Sequence, residues 1–275
     1  MVDIFFDKLY RYPRINECVS IAVPFAKGEL YNTDNISIVQ NKRKCIIQPK
    51  VTAEYDDGSI KYLFVDFMAD LPANKLAKAV LTTTKQELAN LIADGQSECA
   101  KQDGTVSVTP VNNGFLIKCG SLEYEVANNS SSIFRQLNDY RKVYTDKNFE
   151  GPYLKDKDGN AYKLKIGEWK VVEAGPVTAS VEAECSNIKA VIKVTGYAGK
   201  PWVNITYRII NTSDDELKIK SLVFYIKKSE DSVITEQLKP LKIAAGNDST
   251  GCGDIRTDNS HNDGPVFVTR GTTEL

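Results

Sequence analysis

The sequence predicts a mostly β protein: a small β-barrel, one short linking helix, then an antiparallel β-sandwich. Three observations carry this. Asp57-Gly58 sits between two strand-like apolar runs, a second Asp-Gly pair (Asp158-Gly159) recurs in the other half, and residues 177–185, 188–195 and 202–211 alternate apolar and polar side chains. Strict alternation is the period of a half-buried strand, and only one segment, residues 85–99, carries helical spacing.

The first strand of the barrel is expected over residues 18–25, stopping at Pro24-Phe25, with turn chemistry at Gly28 and at 32–35, and a short strand over 36–39. Residues 1–16 show no clear period. The central feature is the stretch Tyr55-Asp56-Asp57-Gly58-Ser59. A type I′ turn with Asp57 and Gly58 at its tip places Tyr55 opposite Ile60, Ala53 opposite Tyr62, Val51 opposite Phe64 and Ile47 near Met68 on one apolar face. The other face then pairs Glu54 with Lys61, Thr52 with Leu63, Lys50 with Val65 and Gln48 near Phe67, so it is expected to start wet and become buried. A closing strand is expected over 77–83, so the barrel occupies residues 1–95 and the sandwich 96–275, its C-terminal end left open.

In the helix, Leu88, Leu91 and Ile92 share a face and Gly95 stands near its end. Beyond it, strands are expected at 106–108, 115–118 and 122–126, separated by loops rich in Asn, Gly and Ser. Asp156, Asp158 and Asn160 stand at alternate positions as in a calcium loop. The chain then runs straight into strand without that loop's closing glutamate, so a plain charged turn is expected. A further strand is expected over 219–227.

Lys and Arg total 35 against 36 Asp and Glu, a net charge of -1, which argues against nucleic acid or an anionic membrane as partner. The acidic residues in Met1-Val2-Asp3-Ile4-Phe5-Phe6-Asp7 do not match a secretory leader, and a cytoplasmic setting is the expectation. The six cysteines have no metal-ligand spacing, so free thiols, no metal and no cofactor are expected.

Common hydrolase, nucleotide and zinc motifs are absent, and Gly251-Cys252-Gly253-Asp254 reads as a turn. The strongest binding candidate is the polar face of the sandwich: Trp202, Asn204, Thr206 and Arg208 on one strand, with Glu182 and Glu184 on a neighbouring one. An aromatic beside carboxylates and a cation can stack on a sugar ring; the same face can equally pack on another domain.

The order of short motifs resembles a known family. Val23-Pro24-Phe25, Gly28, Gln48 and Asp57-Gly58-Ser59-Ile60 are similar to the amino-terminal RIFT-barrel domain of exo-rhamnogalacturonan lyase-like proteins, a group that includes the YetA-like proteins. Cys119-Gly120-Ser121-Leu122, Glu173-Ala174-Gly175-Pro176 and Gly196-Tyr197-Ala198-Gly199 before Trp202 look like that group's central β-sandwich. The pattern departs where Tyr55-Asp56 replaces a usual Trp-Pro and Cys119 replaces a usual Thr.

The resemblance implies a RIFT-type barrel and a pectin-type polysaccharide as partner. It also implies a large α/α toroid, for which the residues after 228 lack the helical periodicity. The expected role is therefore a non-catalytic accessory segment that shapes a polysaccharide cleft and braces the toroid. The alternative is a stand-alone carbohydrate-binding or adhesion module, and a complete polysaccharide lyase ranks third. Elimination on a uronate needs a cation at the carboxylate and a base for the C5 proton. The candidates for those roles are His261, the sole histidine, with Arg256 and Arg270 flanking it.

Overall fold

The computed structural model describes residues 1–7, 11–92, 105–139, 142–186, 189–210, 219–226 and 266–274. Packing divides the chain into two units. The first is Met1–Thr105 together with Gly175–Thr178; the second is Val106–Ala174 with Ala179–Leu275. Division at residue 95 did not anticipate the four residues that the later sequence returns to the first unit.

The first unit is built from β1 (Val2–Phe6), β2 (Arg14–Pro24), β3 (Ser37–Gln40), β4 (Arg43–Lys44), β5 (Ile47–Glu54), β6 (Ile60–Leu71), β7 (Ala77–Thr82) and α1 (Lys85–Leu91). Its two sheets have the orders β1-β7-β3-β4 and β2-β6-β5. Between β4 and β5 the chain passes from one sheet to the other with its backbone satisfied on both sides. Cys45 N donates to Ile38 O (2.7 Å), and Ile46 O accepts from Met68 N (3.1 Å).

The sheets enclose one apolar core that includes Phe25, Ile36, Ile38, Ile60, Leu63, Val65, Phe67, Ala79 and Leu81. Each large member buried there contributes about 1.5–3 kcal/mol relative to exposure. β1 supplies Ile4 to this core, a strand the sequence concealed because Val2-Asp3-Ile4-Phe5-Phe6 leaves only Ile4 buried.

The Asp-Gly hairpin forms, with a different turn from the one expected. Gly58 has φ +79°, whereas Asp57 is not among the residues with positive φ, so a type I′ turn is excluded. Gly58 N donates to Tyr55 O (3.0 Å) and Tyr55 N to Ser59 O (2.8 Å), which closes a three-residue loop ending in a left-handed glycine.

The extra loop residue shifts the pairing. Ala53 does face Tyr62, but Val51 faces Leu63, Lys50 faces Phe64, Gln48 faces Asp66 and Ile47 faces Phe67, with irregularities on either side of Ala53. A slip of one residue exchanges the faces of a strand. Leu63, Val65 and Phe67 therefore fill the core, while Tyr62 and Phe64, expected inside, stand on the outer face.

The helix is shorter than expected. Thr84 caps it by accepting from Glu87 N (3.2 Å), and it ends at Leu91 because Ile92 is already extended. It packs on β3 and β7 within the first unit, and residues 93–99 of the expected helix lie outside the described residues.

The second unit contains β8 (Val106–Val111), β9 (Gly114–Cys119), β10 (Leu122–Ala127), β11 (Gln136–Asp139), β12 (Lys142–Thr145), β13 (Phe149–Asp156), β14 (Ala161–Lys163), β15 (Ile166–Ala174), β16 (Thr178–Cys185), β17 (Ala190–Tyr197), β18 (Trp202–Ile210), β19 (Ile219–Ile226) and β20 (Val266–Glu274). Two five-stranded sheets, β12-β11-β10-β9-β8 and β15-β16-β17-β18-β20, are joined by a three-stranded one, β14-β13-β19.

The larger sheets pack through β9 and β10 against β15 and β17. Gly196 marks the closest approach: a Cβ there would lie 2.3 Å from Cys119 Sγ and 2.8 Å from Tyr124 Oη. Phe134, Phe149 and Phe224 extend the core as an aromatic cluster, Phe149 and Phe224 stacked with centroids 6.0 Å apart.

One strand departs from the antiparallel expectation, since β20 runs parallel to β18. Cys119 and Cys185 are free thiols, and Cys99 and Cys252 lie outside the described residues.

Candidate functional site

The candidate face in the second unit follows from strand alternation. Ile192, Val194, Val203 and Ile205 point into the core, which sends Lys193, Thr195, Asn204 and Thr206 to the opposite face. The register sets Val191 opposite Arg208, Lys193 opposite Thr206 and Thr195 opposite Asn204.

At the end of this hairpin the rings of Tyr197 and Trp202 meet, with centroids 4.6 Å apart and planes tilted by 39°. Trp202 is half-buried rather than fully exposed, because Tyr197 covers part of it. Asn204 Oδ1 is buried, with no hydrogen-bond partner among the described residues.

Glu182 and Glu184 belong to this sheet but not to a strand beside Trp202. They lie on β16, and β17 separates β16 from β18. The expectation skipped β17, whose Lys193 and Tyr197 are the polar and aromatic neighbours that the register brings forward. Between the two ends Glu173 collects the charges: it accepts from Ser180 Oγ (3.4 Å), and Lys193 Nζ lies 3.9 Å away. Lys170 faces Glu182 on the adjacent strand, Glu184 is exposed, and so is Arg208. The face thus carries an aromatic pair at one end, an exposed guanidinium at the other and an acid-base row between.

The weaker candidates separate from this face. His261 and Arg256 lie outside the described residues, as does Cys252. Arg270 is on β20, in register with Thr206 of β18, and that position along the strand is all that is described of it.

Asp156 is the pivot of a turn. Its carboxylate accepts from Asp158 N (2.9 Å), Asn160 N (2.9 Å), Asn160 Nδ2 (2.8 Å) and Tyr162 Oη (3.2 Å). The Asn160 side chain, with these other donors, holds it below the ordinary carboxylate range. Those bonds occupy both oxygens, so the alternate-position pattern serves the turn. Among the described residues no cluster of His, Cys, Asp and Glu is placed to hold a metal.

A second polar cluster, which sequence reasoning missed, lies in the first unit. Gln48 Oε1 accepts from Val177 N (3.1 Å) and Thr178 N (2.9 Å), while Gln48 Nε2 donates to Thr178 Oγ1 (3.0 Å). Thr178 Oγ1 donates to Asp66 Oδ2 (3.2 Å), and Ser20 Oγ donates to Asp66 Oδ1. Asp66 and Thr178 are buried, so these bonds satisfy groups that water does not reach. Gln48 and Gly175, two members of the motif series, are thereby brought into contact.

The other perturbed groups are internal. Burial pushes the Cys119 thiol up to about 12 and the Cys185 thiol to about 11, and it raises Tyr124 and Tyr207 as well. None of these is a base or nucleophile at neutral pH. Their role is packing.

Fold and site together define a mostly β protein whose N-terminal unit is a small barrel and whose second unit is a sandwich with one polar, aromatic-tipped sheet face. A family model described as the PcRGLX-like N-terminal RIFT barrel domain matches residues 7–67. That match takes in β2 to β5, most of β6 and the Asp-Gly hairpin, so over these residues the N-terminal unit is similar to the RIFT barrel of the PcRGLX-like proteins. No curated protein matches the chain.

Proposed function

We propose that the chain is a non-catalytic accessory segment of a protein similar to pectin-acting exo-lyases, and that its sandwich offers the β15–β18 face to an acidic polysaccharide as part of a cleft wall. The Tyr197–Trp202 ring pair carries this reading. A pyranose ring stacks its apolar face on such aromatics. Arg208, six residues along the same strand, adds a cation for a uronate carboxylate. The RIFT-barrel match supports the choice of a pectin-type ligand, and the resemblance extends the role to bracing an α/α toroid. A stand-alone carbohydrate-binding module is the second reading, favoured by the same ring pair.

The test is titration of the full chain with rhamnogalacturonan oligosaccharides, followed by tryptophan fluorescence and by the ultraviolet absorbance of unsaturated uronate. Binding without new absorbance, weakened by Trp202→Ala, is the expected result. Growth of that absorbance overturns the non-catalytic reading, and lack of any binding overturns the glycan contact.

A further inference from the structure

We infer that the tip of the β5–β6 hairpin is a second glycan contact, built from Tyr55, Lys61 and Tyr62, that takes an acidic pyranose. The inference takes its ligand class from the reading above but stands on separate residues in the first unit.

Lys61 Nζ lies 5.5 Å from the Tyr55 ring centroid and 5.7 Å from that of Tyr62, so one ammonium is held by two aromatic faces. The hairpin irregularity produces this arrangement. Glu54, the cross-strand partner expected from a two-residue turn, pairs with Ile60 instead, and among the described residues Lys61 forms no ion pair. The nearby loop carboxylates are engaged elsewhere: Asp56 with Lys27, and Asp57 with Ser59 through its N (3.0 Å) and Oγ (2.6 Å). Glu54 is exposed, and Asp70, exposed at the far end of β6, accepts from Asn16 N (2.9 Å).

The platform is also preorganised. Tyr55 Oη donates to Phe25 O (3.1 Å), and Tyr55 N closes the loop on Ser59. Tyr62 is 45% exposed, and its neighbours across the sheet are Ala53 and Pro24, side chains too short to cover a phenol ring. An aromatic face beside an ammonium that lacks a carboxylate partner suits a sugar that brings its own carboxylate. The pyranose stacks on Tyr62, and Lys61 donates a charge-assisted hydrogen bond to the uronate.

The experiment uses the full chain, with an oligogalacturonate and the same oligosaccharide carboxyl-reduced to its neutral form, followed by calorimetry. Lys61→Met is expected to weaken the acidic ligand roughly tenfold and leave the neutral one unchanged. Tyr62→Ser is expected to weaken both. On the wild-type chain, the side-chain NMR signals of Lys61 should shift with the acidic ligand only, which keeps the test independent of how either variant folds. Unchanged affinity in Lys61→Met, or unmoved Lys61 signals while Trp202→Ala abolishes binding, overturns this inference and leaves the sandwich reading standing. A wild-type chain that binds neither ligand overturns this inference, and the sandwich reading falls with it only if rhamnogalacturonan oligosaccharides also fail to bind.

Discussion

Gln48 and Gly175 lie in contact although 127 positions separate them: a Cβ on Gly175 would fall 2.2 Å from both Cδ and Oε1 of Gln48. The glycine is there because the amide needs its space. With that space the amide serves Val177 N, Thr178 N and Thr178 Oγ1 at once. The segment Gly175–Thr178 is thereby held in the first unit through groups that are otherwise buried without partners.

Gly175→Ala is expected to displace the Gln48 side chain and cost about 1–3 kcal/mol, the range for leaving buried polar groups unsatisfied. Gln48→Ala alone should cost a similar amount. In the double variant the added methyl meets no amide, so the two losses should be clearly less than additive. Urea denaturation of the four proteins measures this; strict additivity would show that the contact does not organise the segment.

Gly196 presents the same problem in the second unit, with Cys119 Sγ and Tyr124 Oη as the obstructing atoms. Overpacking of this kind costs roughly 1–3 kcal/mol. Gly196→Ala should therefore lower the denaturation midpoint, and adding Cys119→Ala should recover part of the loss by opening room at the closer contact. No recovery would mean that Tyr124 alone sets the limit.

What was legible in the sequence was periodicity. Alternation at Val203, Ile205 and Tyr207 placed β18 and its buried face, and the Asp-Gly pairs located both hairpins. Turn subtype was not legible, because Asp-Gly fits a two-residue type I′ turn and a three-residue loop with a left-handed glycine equally well. That single ambiguity misassigned Tyr62 and Phe64 to the core. The Tyr197–Trp202 pair was within reach: Gly199-Lys200-Pro201 signals a turn, and the residues flanking it must meet. Gln48 with Thr178 was not, since no local period reports a contact between distant segments.

The two Asp-Gly loops test the turn assignment directly. Gly58 at φ +79° and Gly159 at φ +91° both have open space where a Cβ would go. Any cost of alanine there is conformational, about 1 kcal/mol at each. Gly58→Ala and Gly159→Ala should each lower stability by that amount, whereas Asp57→Asn should be nearly neutral at pH 7 because an asparagine oxygen still accepts from Ser59. An Asp57→Gly variant that stabilises the protein would indicate positive φ at that position and restore the type I′ turn.

Alkaline pH should expose the buried thiol. Cys119 ionises at about 12 in the folded chain against an ordinary value of 9.0, chiefly because burial disfavours the thiolate. Its folded value is raised, so the stability it contributes is complete below pH 9.0 and is lost progressively as pH climbs toward about 12, where the unfolded chain has released the proton and the folded one still holds it. Tyr124 and Tyr207 are raised by the same cause and act in the same direction at higher pH. Denaturation midpoints measured from pH 8 to pH 11 should fall for the wild type, and the slope should be shallower for Cys119→Ala. The native thiol should also resist alkylation at pH 8.5 until denaturant is added. Rapid labelling of Cys119 in the folded protein, or equal slopes in both chains, would show that this thiol is not sealed between the sheets.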